Sequence, residues 1–240
     1  MRRMSSLIHL IFVLFAAPFA AAQEATSIAP QDWVLAHIDV ETTGLDPAFH
    51  EMVDMGAIYT DLQGRELGRF HIRILPTHPE RLDPGAKAVN GFDPVIWRAT
   101  GAVEEPEAVR QFLAFHGRAA QSRAVLLTAY NSWFDHAFLS ALLAEHGQSW
   151  RGLFHYHVLD VPSMAWGLGI RDLRGAGVAA RLGLPAETSV PLDHTGLTGA
   201  LFNVDVYRAL VAAQAEAQAE AQAEAKPRLD GVAIKPELAR

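Results

Sequence analysis

One segment constrains the fold more than any other, the alternating stretch from Val34 to Val40. Every second position in it is apolar, as a buried β-strand requires, and a Thr-Thr-Gly turn sequence follows at residues 42–44. Asp39 and Glu41 are two positions apart, so an extended backbone directs both carboxylates to one face of the sheet. The segment therefore predicts a buried strand that ends beside two neighbouring acids.

Two carboxylates this close repel each other, which raises at least one pKa unless a cation lies between them. Mg²⁺ and Mn²⁺ are hard cations that take oxygen ligands of this kind. The pair Asp39 and Glu41 therefore indicates a divalent-metal site. The alternative is a strand end that carries two solvated acids.

A second acidic position follows a second buried strand, residues 124–129. Apolar residues then recur at helical spacing, so a helix is expected to begin near Ser132, with Asp135 in its first turn. Ser132 and Asp135 have the spacing of a capping pair, which gives Asp135 a purely structural alternative. Capping and metal binding are compatible roles for this side chain.

Three motifs in order resemble the DEDD exonucleases, the DnaQ-like proofreading nucleases of the ribonuclease H-like fold. Residues 38–44, Ile-Asp-Val-Glu-Thr-Thr-Gly, resemble the first motif. Asn131, Phe134 and Asp135 match the second, Asn-x-x-Phe-Asp, and His194 matches the histidine of the DEDDh branch. The resemblance implies an α/β domain, ribonuclease H-like, from about residue 31 to 210, with a five-stranded mixed sheet flanked by helices.

The pattern fails at one position. The family has an aspartate five residues after the histidine, where this chain has Gly199. Three accounts stay open: a site with three carboxylates and a water, replacement by Asn203 or Asp193, or a protein that has lost catalysis and kept binding. The functional alternatives are therefore a metal-dependent exonuclease and a nonhydrolytic nucleotide- or nucleic-acid-binding homologue.

The resemblance also implies roles for the matched residues. Two ions, Mg²⁺ or Mn²⁺, would clamp the reacting oxygens of a phosphodiester. Asp39 would bridge them, Glu41 would hold the first and Asp135 the second. His194 would be the general base, since the unperturbed pKa of histidine lies near the working pH. A surface histidine at a helix start is the alternative for His194.

The expected reaction releases nucleoside monophosphates from the 3′ end of single-stranded DNA or RNA, or from short oligonucleotides. Leu45 and Phe134 are candidates to wedge or stack against terminal bases, although both could be core residues. Thr42, Gly44 and Asn131 complete the expected substrate-binding set. Many relatives pair, so a homodimer is possible.

Charge and composition limit the other options. The net charge is −7, which is unexpected for a protein that binds nucleic acid through a broad basic surface, so any such contact is expected to be local. There are no cysteines, which excludes disulfides and thiolate metal sites.

Both ends of the chain differ from the domain between them. Residues 1–22 have a positive start, a short apolar run and an Ala-Ala-Ala cleavage region, which predict a secretory signal and an exported protein with no membrane span after cleavage. The alternatives are an uncleaved membrane anchor or a mis-assigned start codon and a cytoplasmic protein. Residues 211–240 contain a Gln-Ala-Glu-Ala repeat, which predicts a solvated helical extension and a loose tail.

The remaining pattern predicts further elements. Strands are expected at residues 52–59, 67–75 and 155–161, and helices at residues 106–116 and 172–182 and from about residue 195.

Overall fold

The computed structural model describes residues 28–225. The expected secretory signal and the tail after residue 225 lie outside the described residues. The strands are β1 (Trp33–Thr42), β2 (Met52–Thr60), β3 (Glu66–Leu75), β4 (Val103–Glu104), β5 (Ala124–Ala129) and β6 (Val158–Asp160). The helices are α1 (Pro84–Asn90), α2 (Pro94–Ala99), α3 (Glu105–Ala120), α4 (Ser132–Glu145), α5 (Trp150–Leu153), α6 (Val161–Gly167), α7 (Gly175–Leu182) and α8 (Gly196–Ala225).

The strands form one mixed six-stranded sheet in the order β4-β3-β2-β1-β5-β6. The β1–β2 and β2–β3 pairs are antiparallel, and the other three pairs are parallel. The α/β, ribonuclease H-like expectation is confirmed, but the expected count of five strands is one too low. The sixth strand, β4, has only two residues, Val103 and Glu104, which is too short to leave an alternating pattern.

The last strand is shorter than expected. The backbone N–H of His155 donates to the carbonyl of Val125, but regular pairing with β5 begins only at Val158. The segment 155–161 therefore contributes three strand residues, Val158–Asp160, and α6 starts directly after them.

Strand β1 lies in the middle of the sheet and separates two layers of helices. Its even-numbered residues from Val34 to Val40 join the main core with α3 and α4. The opposite face of the sheet packs against α8, where Ile58 contacts Ala200 and Val204. The alternation of β1 thus directs its apolar side chains to one layer and its acids to the α8 layer.

Two glycines bring α8 into backbone contact with the sheet. A Cβ added to Gly196 would lie 2.4 Å from the backbone N of Gly56 and 2.5 Å from the carbonyl O of Asp39. Only hydrogen fits between these backbones, so the first turn of α8 is fixed closely above β1 and β2.

A buried acid holds the same helix end. Asp54, on β2, is fully buried and accepts a hydrogen bond of 3.0 Å from the backbone N–H of Gly196. Its other oxygen lies 2.9 Å from Nε2 of His71 and 3.7 Å from Nε of Arg73. A carboxylate at a helix N-terminus is favoured by the helix dipole, so Asp54 anchors α8.

Within residues 28–225, no helix combines the length and the hydropathy needed to cross a bilayer. Helix α8 continues through the Gln-Ala-Glu-Ala repeat, and residues 214–224 are exposed.

Candidate active site

A cavity of about 400 Å³ lies where β1, α1, α4 and the start of α8 meet. Asp39, Glu41, Asp135 and His194 all line it, although they are up to 155 positions apart in the chain. Thr42, Leu45, Asn131 and Phe134 also line it. Of the predicted site residues, only Gly44 is not part of the lining. A Cβ there would lie 2.3 Å from Nε2 of His50, so this glycine makes room for that ring.

The two acids of β1 lie in an unfavourable environment for negative charge. Burial, followed by the charges of Asp54 and Glu187, raises the pKa of Glu41 to about 8. Burial, followed by the charges of Asp135 and Glu41, raises the pKa of Asp39 well above its usual range. The protein therefore holds both carboxyls where a nearby cation would favour their ionised form.

Asp135 is held directly against β1. The backbone N–H of Val40 donates to its Oδ1 at 3.1 Å, which ties the first turn of α4 to the acidic end of the strand. Burial raises the pKa of Asp135 well above its usual range, and this hydrogen bond opposes the shift. The chain enters α4 through Asn131, which has a left-handed backbone with φ of 58°.

The capping alternative for Asp135 is wrong. The backbone N–H of Ser132 donates to Oδ1 of Asp160 at 3.0 Å, so an acid from β6 satisfies the helix start. The carboxylate of Asp135 is directed instead to β1 and the cavity.

His194 precedes α8 and contacts Glu41. Its Nδ1 lies 2.7 Å from the carbonyl O of Thr188, an acceptor, so Nδ1 carries the proton in the neutral ring. Its Nε2 lies 3.2 Å from Oε1 of Glu41. Because the ring is held at Nδ1, its Nε2 side faces the acids of β1.

The loop before His194 is fixed to α1 by a residue that the sequence analysis did not select. The side-chain Nδ2 of Asn90 donates to the backbone carbonyl of Thr42, and the backbone carbonyl of Asn90 accepts from the backbone N–H of Leu192 at 3.4 Å. Leu192 has φ of +73°, an uncommon conformation for a leucine. Asn90 lies outside the three matched motifs, so its position at the site had no clear sequence signal.

Gly199 faces Asp39. A Cβ at this position would lie 2.3 Å from Oδ2 and 2.4 Å from Cγ of Asp39. The carboxyl of Asp39 therefore occupies the space that a side chain at position 199 would need, which gives this helix-interior glycine a packing reason.

Neither residue considered as a replacement for the missing acid lies in the cavity. Asn203 is fully buried and its Nδ2 is 3.4 Å from the carbonyl of Ile38, while Asp193 is exposed. Both lie outside the two cavities that contain Asp39.

A second, more open cavity of about 570 Å³ adjoins the first and shares Asp39, Tyr130 and Asn131 with it. Glu187 lines this second cavity, and its Oε1 lies 3.6 Å from Nδ1 of His194. The loop that carries Glu187 has no periodic pattern, so sequence reasoning missed this residue.

The donor set of the first cavity suits a hard cation. Three carboxylates and an imidazole line it, and among residues 28–225 no lysine or arginine does. Oxygen-rich sites of this kind match the ligand preference of Mg²⁺ and Mn²⁺. Within the described part of the chain, no three Asp, Glu or His side chains are already close enough together to hold a metal ion.

Comparisons with known proteins identify the family of the chain. The sequence model of an exonuclease family, RNase_T, matches residues 37–157, half of the chain. Ribonuclease T of Shewanella sp. (strain W3-18-1) is 28% identical over 176 residues, which cover 70% of this chain and 75% of the relative. Ribonuclease T of Pectobacterium atrosepticum is 31% identical over 127 residues, covering 49% of this chain and 55% of the relative.

Solved structures show the same fold. E. coli Exonuclease I in complex with a dT13 oligonucleotide superposes with a TM-score of 0.61 at 16% identity, over 78% of this chain and 42% of that one. A zinc-bound complex of the same enzyme with single-stranded DNA also gives 0.61 at 16% identity, over 77% of this chain and 41% of that one. This chain thus spans less than half the length of Exonuclease I. By its family match and its fold, the chain belongs to the DnaQ-like DEDDh family of 3′–5′ exonucleases, within the ribonuclease H-like superfamily.

Proposed function

We propose that this exonuclease is metal-dependent and releases nucleoside monophosphates from the 3′ ends of single-stranded nucleic acid. The observation that carries the proposal is the meeting of Asp39, Glu41 and Asp135 in one cavity beside His194. An anionic substrate would be repelled by bare carboxylates, so the site needs bound cations before it can accept a phosphodiester.

Asp39, Glu41 and Asp135 are the residues that would hold two divalent ions, Mg²⁺ or Mn²⁺. When bound, such ions activate a water and neutralise charge that develops on the phosphate. The raised pKa values of Asp39, Glu41 and Asp135 support this assignment, because these carboxyls are costly to ionise without a positive partner.

His194 would take the proton of the attacking water at Nε2. The contact between Nδ1 and the carbonyl of Thr188 holds the ring and leaves Nε2 as the atom that can accept a proton. The contact with Glu41 keeps this nitrogen beside the acids.

The cavity rim would bind the terminal bases. Leu45 and Trp133 are 78% and 67% exposed, and Phe134 packs edge-on against Trp133 with ring centroids 5.9 Å apart. Exposed apolar and aromatic side chains at a cavity mouth can stack on bases of any sequence. The single-stranded DNA in the zinc-bound Exonuclease I complex supports a single strand as the substrate class.

The direct test is mononucleotide release from a labelled single strand with Mg²⁺ or Mn²⁺. We expect Asp39→Asn and Asp135→Asn each to lower the rate at least 100-fold, whereas Asp205→Asn, an exposed acid on α8, leaves it unchanged. Equal rates for the parent and the Asp39 variant would refute the proposal.

A second candidate is a homologue that binds nucleic acid without cutting it. Gly199 favours it, because the family's last acid is absent from α8. This candidate predicts saturable binding of the labelled strand with no product from the parent protein at any Mg²⁺ or Mn²⁺ concentration.

We also propose that the enzyme is exported, on the basis of the signal-like composition of residues 1–22. Sequencing the N-terminus of the protein purified from its native cells tests this. A mature chain that begins near Gln23 supports export, and a chain that begins at Met1 contradicts cleavage.

A further inference from the structure

Glu187 is a carboxylate that the proposed chemistry does not yet use. It lies in the loop between α7 and α8, and its side chain is 24% exposed. Its Oε1 is buried, yet it makes no hydrogen bond to any residue between 28 and 225. Buried carboxylate oxygens are almost always paired, so one without a partner requires an explanation.

The surroundings of Glu187 direct it towards the acids of β1. Its Oε1 lies 3.6 Å from Nδ1 of His194, and Glu187 and Asp39 line the same open cavity. The proton on Nδ1 of His194 is directed to the carbonyl of Thr188 at 2.7 Å, so it does not satisfy Glu187. The charge of Glu187 contributes to the raised pKa of Asp39 and of Glu41, which is consistent with this proximity.

Helix α8 itself offers no acid here. Gly199 faces Asp39 so closely that an added Cβ would lie 2.3 Å from its Oδ2. Because position 199 carries no carboxylate in this chain, a fourth acid has to come from another residue, and Glu187 is the additional acid that shares a cavity with Asp39.

We propose that Glu187 is a ligand of the divalent ions held at Asp39 and Glu41, and that it replaces the acid missing at Gly199. The proposal rests on the metal-dependent function proposed above. Charge supports it: once bound cations favour their ionised forms, Asp39, Glu41, Asp135 and Glu187 supply one negative charge each, which balances the charge of two divalent ions. The unpaired Oε1 is then an oxygen that is free to coordinate.

The test is Mn²⁺ affinity, measured by the electron paramagnetic resonance signal of free Mn²⁺ in the presence of a nucleoside monophosphate. Glu187→Gln keeps the shape of the side chain and removes its charge. We expect it to weaken Mn²⁺ binding at least tenfold, because loss even of groups that only support a ligand costs about 10–100-fold. Glu216→Gln, a matched change on the exposed part of α8, should bind as the parent does.

Nuclease assays of the same proteins separate the two proposals. An active parent whose Mn²⁺ affinity is unchanged by Glu187→Gln would overturn the role of Glu187 and leave the exonuclease intact. A parent that neither binds Mn²⁺ nor releases mononucleotides would overturn both. An active parent for which Glu187→Gln weakens Mn²⁺ binding, and whose lost rate is recovered by raising Mn²⁺, supports both.

A second measurement covers the case in which Glu187→Gln does not fold. A crystal of the parent protein soaked in Mn²⁺ locates the ions by anomalous scattering. Manganese within about 2.0–2.4 Å of a Glu187 oxygen supports the proposal. Manganese bound at Asp39 with the carboxylate of Glu187 outside the coordination shell overturns it.

Discussion

The buried carboxyl of Glu41 lowers the stability of the metal-free protein at the pH at which it would have to be ionised to bind a cation. Glu41 is 7% exposed, and its carboxyl contacts His194 while burial and neighbouring acids raise its pKa to about 8. The folded protein therefore binds this proton between about pH 4.5 and 8, where the unfolded chain has released it. The raised pKa of Glu41 therefore favours the folded state most at low pH. This part of the free energy of unfolding decreases as the pH rises from about 4.5 to 8 and is fully lost above pH 8.

Glu41→Gln should consequently stabilise the metal-free protein at pH 8 and have little effect at pH 5. Each kcal/mol gained raises the melting temperature by about 2–4 °C in a protein of this size. Thermal unfolding in a chelator at both pH values measures the change. The prediction fails if the variant melts below the parent at pH 8. Added Mn²⁺ should stabilise the parent more than the variant, because Glu41 is one of the proposed metal ligands.

The sequence pattern alone suggests that restoring the family's acid at position 199 would raise activity, but the packing of Gly199 against Asp39 predicts the opposite. Restoring the family's acid with Gly199→Asp should lower activity at least tenfold, because the new Cβ would displace the carboxyl of Asp39. The matched control is Gly167→Ala in α6, where a Cβ has nothing within 4 Å. Initial rates of mononucleotide release compare the three proteins, and a rate gain for Gly199→Asp would show that the vacancy limits the enzyme.

At the scale of elements, the placement of α8 determines where His194 lies. Asp54 accepts from the first N–H of this helix and also pairs with His71 and Arg73. Removing one partner of a buried ion pair leaves the others uncompensated, at a cost of about 3–5 kcal/mol.

Asp54→Ala should therefore lower the free energy of unfolding by about 3 kcal/mol and reduce activity by displacing His194. Urea denaturation and the nuclease assay measure the two effects. Asp205→Ala, on the exposed side of α8, should change stability by less than about 0.5 kcal/mol. Similar losses for the two variants would contradict an anchoring role for Asp54.

The elements differ in how far the sequence predicts them. Strand β1 and the start of α4 are visible locally, since alternation and helical spacing mark them and the acids fall within motifs. Other features depend on contacts between distant segments, which no local sequence pattern encodes. They are the pairing of β4 with β3, the hydrogen bond of Asp54 to α8 and the contact of Glu187 with His194. The mutual contact of Gly56 and Gly196 likewise becomes visible only when α8 is placed over the sheet.

At the scale of the whole molecule, the net charge is −7, and among residues 28–225 no lysine or arginine lines the cavity of Asp39, Glu41 and Asp135, while Arg174 alone lines the adjoining one. Binding of a single strand should then depend on metal ions and base contacts more than on release of counterions. The slope of log K against log salt scales with the number of phosphates neutralised, about −0.7 for each in single strands.

We expect a slope of magnitude below about 2 for a labelled single strand with phosphorothioate linkages that resist cleavage, measured by fluorescence anisotropy at constant Mn²⁺. Omitting Mn²⁺ should weaken binding at every salt concentration. A steep slope that persists without Mn²⁺ would indicate a basic track elsewhere on the surface.

The crossing of Gly56 and Gly196 leaves no room for even one methyl group between helix and sheet. In a related chain with alanine or a larger residue at either position, the last helix must lie farther from the sheet. The histidine before that helix would then lie farther from the acidic strand. The residues at these two positions therefore distinguish two groups of relatives. Those with two glycines can have the same helix-to-sheet distance, and the others must have a different distance between the histidine and the acids.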